Sequence, residues 1–269
     1  MNSPLRLSVC HASESYAYSA AMDCFARLDY IEGLLSLYIP HSETDILNSS
    51  RVGRVFKLAG ETAECLVLAC NISAITDGAI DVCMGDFFLR NKGDSSLGAI
   101  ENPGRAGFEI DVENYLIKKT APGRVDLGAI GKGYGVDEIA KLLRNPWKIG
   151  GAFISFTSSI YALGKNPDGK CWSVNLSDDF SVELPPNTSV GCSGTAVQGN
   201  HICDARTGRA VENPPFRVWA FAESAAVSDA LSTAFMILPR ERVGEICRQY
   251  GFRSAIQVSE ESPVEWIVG

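Results

Sequence analysis

The chain has 269 residues, 46% hydrophobic and 21% charged, with a formal net charge of −8. That length can bury a substantial core in one large domain or two small ones, and the composition is that of an ordinary globular protein. The acidic balance argues against a nucleic-acid or anionic-membrane surface, and no apolar run approaches the roughly 18 residues of a transmembrane helix. The opening "MNSPLRLSVCHASES" has one arginine and too short an apolar stretch for a secretory signal, so the cytoplasm is expected for the chain as it stands. Nine scattered cysteines with no CxxC, and only three histidines (His11, His41 and His201), argue against a disulfide framework and a zinc site. They read as reduced thiols used as small hydrophobes.

In chain order, residues 19–38 place Ala21, Phe25, Leu28, Ile31 and Leu35 at helical spacing, with Pro40 at the exit. "HSETDILN" reads as a polar turn with Ser42 or Thr44 as a cap, and "VFKL" as a short strand. Residues 61–75 read as a second apolar-faced helix ending at the turn "TDGAID", and residues 91–105 as a Gly/Ser/Pro-rich loop. "FEIDVENYLIKKT" alternates like a hairpin turning at Glu113-Asn114. A helix carrying Val136, Ile139, Ala140 and Leu143 follows, then strands at "GAFISF", "SIYALG", "CWSVNLS", "FSVELP" and "RVWAFAES". Two helices, "AAVSDALSTAFMIL" and the run from Pro239 to Tyr250, precede closing strands at "SAIQVS" and "VEWIVG". Strand runs without βαβ alternation predict an α+β fold with largely antiparallel sheets flanked by helices.

Four stretches can carry chemistry. "VDLGAIGKGYGVDEIAKLL", from Val125, sets Gly128, Gly131, Gly133 and Gly135 around Lys132 at a helix start. It fits neither GxGxxG nor GxxxxGK[ST]. It reads equally as an anion cradle of backbone amides plus a lysine, or as a glycine-rich turn needed for packing. Asp229 and Thr233 share one face of an otherwise apolar helix, where a carboxylate is costly unless paired or metal-bound. Carboxylate plus hydroxyl suits Mg²⁺ or Ca²⁺; the competing reading has Ser224 or Ser228 capping the helix and Asp229 eased by its N-terminus. In "CSGTAVQGNHICDARTGRAV", residues 204–208 form a tight turn, and His201 before it is either a general base or a structural histidine. "TDGAIDVCMG" offers Asp77 and Asp81 around a turn.

Together and in order, these pieces resemble the ApbE family, the FAD:protein FMN transferases. The family's "sGafDptvg" is similar to "DGAIDVCMG", its "DLGgiaKGyavD" to "DLGAIGKGYGVD", its "HIiDprTGrpv" to "HICDARTGRAV" and its "aDalaTalfvl" to "SDALSTAFMIL". "LSLYIPHSETDILN", ending in Asn48, also resembles a family segment, and the likeness runs from about residue 20 to 250. The resemblance implies one ApbE-like domain over 1–269, open to a two-lobed division with the FAD site between the lobes. It also implies Mg²⁺-dependent transfer of the FMN part of FAD to a Thr or Ser hydroxyl of an acceptor protein bearing a D-x-x-[ST]-G-A-[ST] motif, with release of AMP. By matching, Asp229 and Thr233 would supply side-chain metal ligands and Ala129 its carbonyl. Lys132, Ala79, Ile80 and Asp81 would contact FAD, and His201 would act at the reacting centre as base. Three features depart from the pattern. Thr157-Ser158-Ser159 stands where the family has "GGd" or "GGn", only six residues separate Gly194 from His201, and the exported members' lipobox is not seen. An FAD-binding protein without transferase activity and an FAD pyrophosphatase giving FMN and AMP are the alternatives.

Overall fold

The structure, a computed structural model, describes residues 4–93, 98, 103–195 and 202–269. Its centre is a seven-stranded sheet, ordered β1-β5-β6-β9-β12-β13-β14, in which every neighbouring pair is antiparallel. These strands are β1 (Leu5–Cys10), β5 (Gly151–Phe156), β6 (Ser159–Gly164), β9 (Thr188–Gly194), β12 (Arg217–Ala222), β13 (Arg253–Gln257) and β14 (Glu265–Val268). With the helices, this is the α+β fold with antiparallel sheets that the strand pattern predicts. The strands β1 and β9 are additions to that pattern. "LRLSVC" lies beside what reads as an N-terminal tail, and "TSVGCSG" is masked by its small residues.

Two faces of the sheet are covered differently, as strand alternation requires. Along β12, Val218 and Ala220 pack with the helices, whereas Trp219 and Phe221 pack with the hairpin of β7 (Trp172–Ser177) and β8 (Phe180–Leu184). On the helix side lie α5 (Gly131–Arg144) and α6 (Ala225–Phe235). They approach closely because two glycines are bare: a Cβ on Gly133 would lie 2.2 Å from the Ala225 carbonyl oxygen, and one on Gly191 2.3 Å from that of Ser228. No side chain fits there without parting α5 from α6 or α6 from β9.

The remaining elements pack around this core, α1 (Glu14–Leu35) mainly on α5 and α7 (Arg240–Tyr250) on β13 and β14. Helix α1 buries Ala20, Cys24, Leu28, Ile31 and Leu35, and the Ser13 hydroxyl caps it by accepting the Tyr16 N–H. It starts five residues earlier than the apolar spacing alone indicates, because Ser13 supplies the cap. "HSETDILN" is a helix rather than a turn: α2 (Glu43–Ser49) is capped by Ser42, and Thr44 is buried inside it. Then follow β2 (Val55–Lys57), α3 (Gly60–Ile75), a 3-10 turn over Val82–Met84 and α4 (Gly85–Asn91). Strands β3 (Gly107–Asp111) and β4 (Leu116–Ala121) form the expected hairpin and extend it to β2. Between α4 and β3, most of the Gly/Ser/Pro-rich stretch of residues 91–105 lies outside the described residues. The tight turn at Asp204–Gly208 joins β10 (Cys203–Asp204) to β11 (Arg209–Ala210), and α7 (Arg240–Tyr250) follows Pro239 as the sequence indicates. All nine cysteines are free, and none of the described helices is long and apolar enough to cross a membrane.

Candidate active site

A cavity of about 570 Å³ opens where the N-terminus of α5 and the Asp229–Thr233 turn of α6 face the 3-10 turn and α4. Its lining falls into three stretches. Ala69, Ile80, Val82, Phe88 and Ile202 form an apolar end, and Asp126, Gly128, Ala129, Lys132, Asp229 and Thr233 a polar middle. Thr157, Ser158, Cys192, Gly194 and Arg217 form a third part at the end of the central sheet. A cavity this size with few convergent polar groups is the usual form of a small-molecule site. A wider hollow of about 740 Å³ is lined only by the loop Ser49–Arg54 and gathers none of the motif residues.

The polar middle is built by carboxylates that hold backbone. Asp126, buried, accepts the Gly128 N–H at 2.8 Å and so folds the chain into the start of α5. The stretch before it is pinned by Asn48, whose side chain exchanges two hydrogen bonds with the Val125 backbone at 2.7 and 2.9 Å. Asp229 is buried on α6, and its Oδ2 accepts the Gly133 N–H at 3.2 Å and lies 3.5 Å from Lys132 Nζ. Both readings of this helix therefore have a physical basis. Ser224 does cap α6, accepting the Val227 N–H, and Asp229 does occupy a paired position one turn further on.

The donor set fits a hard divalent cation. With the Gly133 amide given to Asp229, no backbone donor reaches the Ala129 carbonyl among the described residues, although residue 133 is its ordinary helical partner. Oδ1 of Asp229 likewise takes no hydrogen bond among the described residues. The Thr233 hydroxyl lies 2.9 Å from that of Ser193, which also touches Ser232 at 2.9 Å. Carbonyl, carboxylate and hydroxyl oxygens on one wall suit Mg²⁺ or Ca²⁺ rather than a thiolate-seeking metal. The nearby Cys192 does not alter this, because burial pushes its thiol up to about 12, with Arg217 opposing and Asp229 adding to the rise. No cluster of three or more His, Cys, Asp or Glu side chains exists among the described residues, so a metal here would rely on backbone, hydroxyl and water ligands.

The other sequence candidates divide. Ile80 and Asp81 line the cavity, but the Asp81 carboxylate is engaged: it caps the 3-10 turn through the Cys83 N–H at 2.9 Å and pairs with Arg105. Ala79 is fully buried in the core, does not line the cavity, and gives its carbonyl to the Ala205 N–H at 3.0 Å. Lys132 lines the cavity with its ammonium directed to the Gly128 carbonyl at 3.2 Å as well as to Asp229. His201 lies outside the described residues. Thr157 and Ser158 line the cavity as the two-residue turn between β5 and β6, and Thr157 has φ +54. Asp126, Ser193 and Arg217 are site residues that pattern reading passes over. Asp126 could have been noticed as a carboxylate two residues before a glycine at a helix entry.

A two-faced antiparallel sheet with a hard-oxygen site between two tightly packed helices and an apolar shelf defines a small-molecule enzyme of α+β class. The sequence model of the ApbE family matches residues 1–256, and the chain belongs to that family. It is 27% identical over 241 residues to the FAD:protein FMN transferase of Vibrio cholerae serotype O1, covering 80% of this chain and 72% of that protein. To the FAD:protein FMN transferase of Escherichia coli K12 it is 24% identical over 257 residues, covering 84% and 72%. Among solved structures, the flavin transferase ApbE from Vibrio cholerae superposes with a TM-score of 0.78 at 20% identity, covering 99% of this chain and 93% of that one. The ApbE protein from Thermotoga maritima gives a TM-score of 0.80 at 21% identity, covering 98% and 93%. These superpositions establish the shared fold.

Proposed function

We propose that the protein is a flavin transferase that moves the FMN part of FAD onto a Thr or Ser hydroxyl of an acceptor protein and releases AMP, with Mg²⁺ as cofactor. The observation that carries this reading is the junction of α5 and α6, where Asp229, Thr233 and the Ala129 carbonyl, which meets no backbone donor among the described residues, line one cavity wall. Mg²⁺ held there would neutralise charge on the pyrophosphate and orient it, which is most of what phosphoryl-type transfer requires. The protein's own groups do the rest. Asp126 fixes the loop that presents the Ala129 carbonyl. Ile80, Phe88 and Ile202 exclude water from the apolar end. His201 takes the proton of the acceptor hydroxyl as its oxygen bonds to the FMN-side phosphorus and the bridging oxygen leaves with AMP. The acceptor carries a D-x-x-[ST]-G-A-[ST] segment, and the protein acts in the cytoplasm.

The test incubates the protein with FAD, Mg²⁺ and such an acceptor. A fluorescent acceptor band in a denaturing gel, absent with Asp229→Ala and with His201→Gly, is the expected result. FMN and AMP without a labelled acceptor would replace this reading with a pyrophosphatase, and bound, unconsumed FAD would replace it with a flavin carrier.

A further inference from the structure

The third part of the cavity is not used by the chemistry above, and it contains an unpaired cation. Three carboxylates line the cavity (Asp81, Asp126 and Asp229) against three cations, Lys92, Lys132 and Arg217. Lys132 is already committed to Asp229 and Gly128, and Asp81 draws its partner, Arg105, from outside the lining. Arg217 has no carboxylate within ion-pair distance and donates no hydrogen bond among the described residues. Among the described residues its charged contact is the guanidinium over the Phe216 ring, 4.9 Å from the centroid.

Arg217 is nonetheless held in place. It pairs with Gly194 in β9 and Gln257 in β13, so its backbone is fixed within the central sheet. Its side chain lies along Gly194, where an added Cβ would come within 2.9 Å of its Cγ. Strand alternation sets it on the face of Trp219, while its neighbour Val218 pairs with Ser193, whose hydroxyl reaches Thr233 on the opposite face. The cavity runs round this strand end and is lined by Arg217, Thr157 and Ser158 as well as by Thr233 of α6.

A guanidinium braced on one ring face keeps its N–H edge free, and that edge matches two oxygens of a phosphate. On the functional reading above, on which this inference rests, FAD offers a single anionic group, its pyrophosphate. We propose that Arg217 is a binding residue of this chain for the pyrophosphate of the dinucleotide, gripping it from the sheet end opposite Asp229.

The test measures equilibrium binding of FAD, ADP and riboflavin, in Mg²⁺, to the wild type, Arg217→Ala and Arg217→Lys. Arg217→Ala is expected to weaken FAD and ADP by about 10- to 100-fold and to leave riboflavin unchanged. Arg217→Lys keeps the charge without the fork and should fall between, which also guards against misfolding of the alanine variant. Equal weakening of riboflavin would mean stacking rather than phosphate recognition and would overturn the proposal, as would unchanged FAD affinity. If the wild type itself binds no FAD, the functional reading fails and this inference goes with it.

Discussion

Asp137 and Asp229 are exchanged between two helices. Asp137 on α5 accepts the Ser224 hydroxyl at 2.6 Å and the Ala225 and Ala226 N–H groups at 2.7 and 2.9 Å, capping α6. Asp229 on α6 accepts the Gly133 N–H at the start of α5. Each helix thus ends on a carboxylate of the other, and the metal-type ligands sit at this crossing. Replacing Asp137 with Ala orphans two buried amides and should cost about 2 to 3 kcal/mol in urea unfolding. Asp137→Asn, which keeps one acceptor, should cost less. Equal stability of Asp137→Ala and wild type would show that α6 is held by packing alone.

Two glycines make a contrasting pair. Gly133→Ala sets a Cβ 2.2 Å from the Ala225 carbonyl and must part α5 from α6, at an expected cost of about 3 kcal/mol or more. Gly33 lies inside α1 with nothing within 4 Å of an added Cβ, so Gly33→Ala should stabilise by about 0.5 to 1 kcal/mol through helix propensity. Thermal melts of both variants decide it. A neutral Gly133→Ala would mean that the helices are less closely coupled than their contacts indicate.

What the sequence discloses and what it hides follow from the range of the interactions. Helices with regular apolar spacing, such as that carrying Val136, Ile139 and Leu143, are local and were legible, as was the antiparallel character of the sheet. Strand β9 was not, because Gly191 and Gly194 are there for contacts with Ser228 and Phe216 that local pattern does not encode. The hydrogen bond from the Gly133 N–H to Asp229 spans 96 residues and is not encoded locally; the ordered motifs of the family implied only that Asp229 and the start of α5 share a site. Ala79, read as a cofactor contact by the same matching, proves to be core.

The turn between β5 and β6 stores strain. Thr157 is β-branched yet has φ +54, a conformation that favours glycine. Thr157→Gly should therefore raise stability by about 1 kcal/mol, or roughly 2 to 4 °C in Tm for a chain of this size. A fall in Tm would show that the threonine side chain makes contacts that outweigh the strain.

Acid should weaken the fold partly through Glu138. Burial pushes this carboxyl up, but the Lys141 and Arg27 hydrogen bonds and charges outweigh burial and hold it below its ordinary 4.5. A lowered folded-state pKa gives stability that is present above about 4.5 and lost as pH falls through the folded value. Asp137 runs the other way: burial raises its pKa against the Ser224, Ala226 and Ala225 hydrogen bonds, so its share declines as pH rises. Glu138→Gln should be less stable than wild type at pH 7, with the gap closing in acid. A pH-independent gap would assign the loss to packing instead.

Lys132 provides the sharpest test of the metal reading. Its ammonium stands 3.5 Å from Asp229 Oδ2 and offsets a buried carboxylate that a divalent cation would otherwise neutralise. A ligand that binds only the folded state raises Tm in proportion to RT ln(1 + [L]/Kd), so Mg²⁺ should stabilise the wild type. Lys132→Met removes the competing charge and leaves Asp229 uncompensated. Without Mg²⁺ this variant should melt lower than wild type, by about 1 to 3 kcal/mol of lost stability. With Mg²⁺ its upward shift should exceed that of the wild type, and Asp229→Ala should show no shift. A Lys132→Met variant that melts low and gains nothing from Mg²⁺ would mean that the carboxylate serves the α5 amide and not a cation.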